Sequence, residues 1–137
     1  MANTYQLDIV TPERVMLSEL AVETIAPGTE GYLGILAGHA PLMTTLEPGE
    51  VTVAFADGRT TSRIVIGGGF MEVSAAKTTI LADSAERIDE IDVSRAELDL
   101  EEARKLLDAA VLGTPEAVAA KRANVLAETR VRLGRSR

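Results

Sequence analysis

The residues Ile80 to Asp99, ILADSAERIDEIDVSRAELD, contain the point at which the chain stops reading as strand and starts reading as helix. From Asp83 onward the composition turns to Ala, Glu, Asp, Arg and Leu, with no glycine until Gly113. Val93, Ala96, Leu100, Ala103, Leu107 and Ala110 recur at spacings of three and four, which lays one apolar stripe along an otherwise charged helix. Asp92 is placed to cap its first turn. Gly113 suits a left-handed helix end, Thr114 a second cap and Pro115 the first turn of a second helix running to about Leu133. The pattern predicts an antiparallel two-helix hairpin. The second stripe, Val118, Ala119, Ala123, Leu126 and Leu133, is thin, and at roughly 25 cal/mol per Å² an alanine-rich face holds its partner weakly. The basic end LGRSR is expected to fray.

Upstream of Asp83 the period is two. Tyr5, Leu7 and Ile9 alternate with polar neighbours, Arg14 to Leu17 and Leu20 to Ile25 read as two short strands, and Pro27-Gly28 reads as a turn. Val51, Val53 and Phe55 lead into Asp57-Gly58, a hairpin signal because both residues tolerate positive φ, and Thr61 to Ile66 follow. Gly67-Gly68-Gly69 allows a sharp change of direction. It is no phosphate loop, because Phe70, Met71 and Val73 continue as strand where a helix would be needed. Lys77 to Ala82 closes the series. The predicted fold is an N-terminal antiparallel β-sandwich, or flattened barrel, over residues 1–86, followed by the helical hairpin over 87–137.

A chain of 137 residues with no cysteine, one histidine and 46% apolar residues supports one good core plus an appendage. It offers no disulfide framework, no thiol chemistry and no zinc site. The absence of a long apolar run and of a signal-peptide pattern predicts a soluble chain without direct membrane insertion. A net charge of −7 disfavours nucleic acid and anionic lipid as general partners. Residues 1–82 carry nine acids against four bases, residues 83–108 ten against four, and residues 109–137 two against six. The two halves of the helical tail therefore attract each other.

The remaining stretch, Glu30 to Gly49 (EGYLGILAGHAPLMTTLEPG), reads as a loop with a buried underside, bent by its glycines and by Pro41 and Pro48. Its order G-x-L-G-I-L-x-G-H-A-P-L, then L-x-P-G, resembles the epsilon subunit of the rotary F-type ATP synthase. The resemblance runs on through TYQLDIVTPE, GGFMEV, TILADSAE and IDVSRA, leaving only the last helix loosely matched. It implies a non-catalytic central-stalk subunit, turning with gamma on the c-ring inside the alpha/beta head and peripheral to the cytoplasmic face of a bacterial plasma membrane. The sandwich would couple gamma to the c-ring, and the hairpin would inhibit ATP hydrolysis when extended. No cofactor or metal is expected, with regulatory ATP the one possible ligand.

Three groups of residues carry these expectations. Glu30, Tyr32, His39, Ala40, Pro41 and Leu42 form the expected rotor interface, where relatives often place an acid at the position of Tyr32. His39 could serve instead as a general base, but no serine or cysteine motif accompanies it, and a lone histidine in a turn serves as a hydrogen-bonder. Glu86, Ile91, Asp92, Arg95 and Ala96 resemble the element with which some epsilon subunits bind ATP. Asp92 as a cap and Arg95 paired within its helix are the structural alternative. Glu102 and Leu126 stand where binding members carry further arginines. Lys121, Arg122, Arg130 and Arg132 are the expected inhibitory contact with an acidic segment of the catalytic subunits. The competing function is a free-standing ATP-sensing module.

Overall fold

The computed structural model describes residues 3–59 and 61–137. Seven strands, β1 Tyr5–Val10, β2 Val15–Gly28, β3 Gly31–Leu36, β4 Leu42–Phe55, β5 Ser62–Val73, β6 Lys77–Ala82 and β7 Ala85–Arg87, precede a 3-10 turn at Ile88–Glu90. Two helices follow, α1 Val93–Ala109 and α2 Pro115–Ser136. The sheet runs in the order β1-β6-β5-β4-β2-β3, and β1 also pairs with β2, so the path closes on itself as a flattened barrel. All pairings are antiparallel except β1 with β6, which is parallel and departs from the expected all-antiparallel arrangement.

Alternation decides the core. Leu7 and Ile9 of β1, Leu46, Val51 and Val53 of β4, Ile64, Ile66 and Met71 of β5 and Ile80 of β6 point inward and are fully buried. Tyr5 and Thr24 bring hydroxyls into this interior. Thr24 Oγ1 lies 2.5 Å from the Tyr5 hydroxyl, which donates to the Ile35 carbonyl at 3.1 Å, so neither buried oxygen is left alone. Burial pushes the Tyr5 hydroxyl above its ordinary pKa and keeps it a neutral donor.

Several local expectations change. Residues 30–49 are not one loop, because β3 and the first half of β4 occupy most of them and only residues 37–41 connect the two strands. The two short strands at Arg14 to Leu17 and Leu20 to Ile25 are a single strand, β2, whose register slips twice against β4. The turn lies at Thr29-Glu30, because Pro27 and Gly28 still pair with Tyr32 and Gly31. Among the described residues of the β4–β5 connection only Gly58 has positive φ.

Gly67, Gly68 and Gly69 do not reverse the chain. They mark where β5 exchanges neighbours: Ile64–Ile66 pair with β7, and Gly69–Val73 pair with β6. Gly68 and Gly69 have φ of +92° and +152°, and a Cβ on Gly69 would lie 2.2 Å from the Leu81 carbonyl oxygen.

The hairpin folds back on the sandwich. Asp92 and Thr114 accept from the amides of Arg95 and Ala117, as expected of caps. Helix α1 ends at Ala109, short of Gly113, which instead takes φ of +83° in the turn. The interior stripe of α2 is Ala120, Ala127, Val131 and Leu133, while Val118 is 60% exposed. The expected stripe was one position out of phase at its start, because alanines on several sides of α2 give no unique face. The end does not fray. Leu133 and Gly134 are buried, and Arg137 donates to the carbonyls of Ile88 and Ile91. A second core forms from Val65, Ile91, Ala96, Val131 and Leu133, with Val93, Leu100 and Leu126 against it.

Replacing Gly69 by alanine should lower unfolding stability by at least about 2 kcal/mol, since strain and a backbone clash coincide there. Gly58→Ala, at φ of +78° with open space around it, should cost only about 1 kcal/mol. Urea midpoints of the two variants measure the difference.

Candidate functional site

The expected rotor residues fall into two groups. Glu30, in the β2–β3 turn, and Tyr32, 60% exposed, stand at the start of β3. His39, Ala40, Pro41 and Leu42 lie beyond its end. A six-residue strand separates the groups by roughly 17 Å, so they do not form one patch. The Tyr32 hydroxyl accepts from the Glu50 amide at 3.2 Å, which fixes the ring beside Gly49 and Glu50 in the middle of β4. His39 Nδ1 lies 2.7 Å from the Ala40 carbonyl oxygen, and its amide donates to the Leu36 carbonyl. Its bonds run to backbone groups of its own loop, which is the arrangement of a turn-forming residue.

The expected nucleotide element is only partly brought together. Ile91 and Ala96 are core residues at 2% and 0% exposure. Asp92 is engaged as the cap of α1, and Arg95 pairs with Asp99 one turn along at 3.1 Å. Glu86 alone faces a cleft, of about 300 Å³, shared with Val65, Ser84, Leu126 and Arg130. A neighbouring groove of about 280 Å³ between the helices is walled by Asp99 and Glu102. Carboxylates line this region where a triphosphate would need cations.

Arg130 is the centre of that region. Its Nε donates to Glu86 on β7 and its Nη1 to Asp99 on α1 at 3.0 Å, so one guanidinium ties α2 to both the sandwich and the first helix. Burial opposes the charge, but Glu86 and Asp99 outweigh it and raise its pKa further. Arg122 reaches Glu47 at 3.7 Å and Asp83 at 3.9 Å. Its guanidinium lies over the backbone of Gly68, where a Cβ would come within 2.2 Å of it. Lys121 and Arg132 are exposed and form no ion pair among the described residues. The four cations of the expected inhibitory contact therefore divide into two that dock the hairpin and two that face outward.

One surface was missed by sequence reasoning. Across the outer face of the sheet, register aligns Val15, Val10, Leu81, Phe70 and Thr45 on five adjacent strands. Val15 and Leu81 are 64% and 54% exposed. The next row, Ser18, Asp8, Thr79, Glu72 and Met43, is polar except at its end. Hydrogen bonds from Gln6, Ser18 and Lys77 hold the Asp8 carboxyl at a pKa of about 2 and keep it ionised. The signal was available: Phe70 and Leu81 are apolar at positions where the alternation set by Met71, Val73, Ile80 and Ala82 calls for polar residues. Among the described residues no group of His, Cys, Asp and Glu is placed to hold a metal ion, and no helix is long and apolar enough to cross a membrane.

Comparison with known proteins is consistent along the chain. Residues 4–88 match the beta-sandwich domain of the ATP synthase Delta/Epsilon chain. The ATP synthase epsilon chain of Brucella anthropi is 47% identical over 108 residues, covering 79% of each chain, and that of Brucella canis is 46% identical over the same length. Among solved structures, a chain of the Euglena gracilis mitochondrial ATP synthase, in its OSCP/F1/c-ring assembly, superposes with a TM-score of 0.77 at 26% identity, covering 92% of this chain and 78% of that one. A chain from the central stalk and c-ring of the Tetrahymena thermophila enzyme superposes at 0.66 and 17% identity, a likeness of fold.

Removing the Arg130 guanidinium leaves Glu86 without an ion pair among the described residues and leaves Asp99 with Arg95 alone. Arg130→Ala should loosen the hairpin by on the order of 1 to 3 kcal/mol, between the values for exposed and buried pairs. Hydrogen exchange should rise across residues 115–136 and stay unchanged in β4 and β5.

Proposed function

The chain belongs to the ATP synthase epsilon-chain family, and from that membership we propose a non-catalytic place in the central stalk of a proton- or sodium-translocating ATP synthase. The sandwich joins gamma to the c-ring, and the hairpin restrains ATP hydrolysis in the alpha/beta head. The complex lies peripherally on the cytoplasmic face of a bacterial plasma membrane.

The observation that carries the stalk role is the apolar row on the outer sheet face. Val15 and Leu81 are exposed while Val10 and Phe70 are half-buried; fully covering an exposed side chain of this kind contributes up to roughly 1.5 to 3 kcal/mol, so the row favours a lasting partner. Gamma is that partner, because a subunit that turns with the rotor must not exchange during turnover. The two ends of β3 then serve two neighbours: Glu30 and Tyr32 face the polar loops of the c-ring, while His39, Ala40, Pro41 and Leu42 extend the gamma contact.

The regulatory unit is the hairpin, with the boundary near residues 86–87, and β7 belongs with the sandwich. In the folded-back state Arg122 and Arg130 are occupied and hold the hairpin down. Lys121 and Arg132 remain available to acidic surfaces of the head. Release turns all four toward the head, where a basic helix wedged against an acidic lever opposes rotation in the hydrolysis direction. The acids around Glu86 and Arg130 favour this reading over a free-standing ATP sensor, since Asp99 and Glu102 repel a triphosphate.

Two expectations follow. Leu81→Asp should leave the isolated chain folded and abolish its copurification with gamma from membranes; retention of gamma would move the interface elsewhere. Lys121→Ala with Arg132→Ala should raise the ATPase rate of the assembled complex at low salt without changing its subunit composition. Each exposed pair is worth at most about 1 kcal/mol, so the rise should be several-fold at most and shrink as salt is added. Unaltered hydrolysis, with removal of residues 88–137 still activating, would mean that bulk and not charge restrains the motor.

A further inference from the structure

Strand β3 pairs with β2 alone among the described residues, so one side of Gly31–Leu36 is an open edge. Pro27 lies opposite Tyr32 and has no N–H to give, so this pair cannot exchange two hydrogen bonds. Alternation along the ladder then directs the backbone N–H and C=O of Tyr32, Gly34 and Leu36 away from β2, and those of Leu33 and Ile35 toward it. The Leu36 carbonyl fits this phase, because it accepts from the His39 amide in the following loop.

Soluble proteins guard such edges with charge, proline, a bulge or a very short strand. Strand β7, which pairs with β5 alone, is guarded in this way, being three residues long and carrying Glu86 and Arg87. Strand β3 has none of these devices. Its six residues, GYLGIL, include no charge and no proline, and their register with β2 runs without a shift. Tyr32 and Leu36 stand open to solvent, and a Cβ on Gly34 would meet nothing within 4 Å.

We propose that this edge pairs with the same edge of a second copy of the chain, antiparallel about a two-fold axis at Gly34. Glycine then faces glycine on the axis, so the backbones approach with no side chain between them. Tyr32 of each copy stands opposite Leu36 of the other, an aromatic residue against an aliphatic one on the exposed face. Both belong to the set whose backbone groups point outward, so the amide of each finds a carbonyl across the axis. A neutral strand meets its own image without repulsion. Continued past the strand ends, the register sets Glu30 opposite the second copy's Gly38, and acid does not meet acid. The joined edges cover Tyr32, so the pair is the form of the chain outside the rotor and must open on assembly. That consequence rests on the c-ring contact proposed above; the association itself does not.

Sedimentation velocity of the full chain tests this. A contact one strand wide buries less than the roughly 1,200 Å² of a standard interface, so the passage from monomer to dimer should be weak, spread over roughly 10 μM to 1 mM. Gly34→Lys and Gly34→Glu each set like charges against each other at the axis and should move that passage to about tenfold higher concentration. The open space around Gly34 leaves the fold of either variant intact. An equimolar mixture of the two should return association to the range of the unaltered chain, a recovery that misfolding cannot produce. Leu81→Asp should leave the dimer unchanged, which separates this contact from the outer apolar row. A chain that stays monomeric throughout that range, a transition unmoved by Gly34→Lys, a mixture that does not recover, or a dimer lost in Leu81→Asp would overturn the pairing. All four are read on the chain alone, so their failure would leave the stalk assignment standing.

Discussion

Three consecutive glycines in β5 tie the two halves of this molecule together. Residues 67–69 let the strand leave β7 and join β6, and the same missing side chains create the seat for α2. A Cβ on Gly67 would press on Leu126 at 3.3 Å, and one on Gly68 would strike the Arg122 guanidinium. Gly134 repeats the device from the helix side, where a Cβ would come within 3.0 Å of Ile91 and closer still to Val93. Side chains thus press directly on glycine backbone at both contacts, and the seam is shaped by what is absent.

The forces holding the hairpin differ in reach. Val65 is the sheet residue in the second core, so apolar burial supplies a narrow seam between sandwich and helices. Around it lie Arg122 with Glu47 and Asp83, Arg130 with Glu86 and Asp99, and Arg135 with Glu97. Arg130 is the least exposed of these cations, with 18% of its side chain open to solvent, and its bonds are the least screened. The outer pairs contribute little individually. Docking therefore has a firm centre and a soft rim, as suits an element that must stay down without being locked.

The sandwich was legible because its strands alternate, and the caps because Asp92 and Thr114-Pro115 are local signals. What failed to read required knowledge of neighbours. The parallel pairing of β1 with β6 leaves no mark in either strand. The α2 stripe was misphased because Ala119, Ala120, Ala123 and Ala127 look alike until something packs on one side. Arg122 and Arg130 could be counted as charges but not assigned partners, since Glu47, Asp83 and Glu86 lie far away in sequence. The outer apolar row was overlooked because Phe70 and Leu81 break the alternation singly, and only the register aligns them with Val10 and Val15.

The parallel pairing also governs how the chain acquires its form. The barrel closes only when Gln6 to Val10 meet Lys77 to Leu81, about seventy residues later. A nascent chain emerging from the ribosome holds its first strand without that neighbour until the whole sandwich has been made, leaving one side of β1 open in the interval. Loop-closure entropy of this kind sets refolding in the millisecond-to-second range that stopped-flow fluorescence or circular dichroism resolves, and not in the microseconds of the helical tail alone. The order of events is built into the topology: β2 to β5 can zip as neighbours, β6 arrives, β1 closes the ring, and only a finished β5 with β7 beside it offers α2 a place to land.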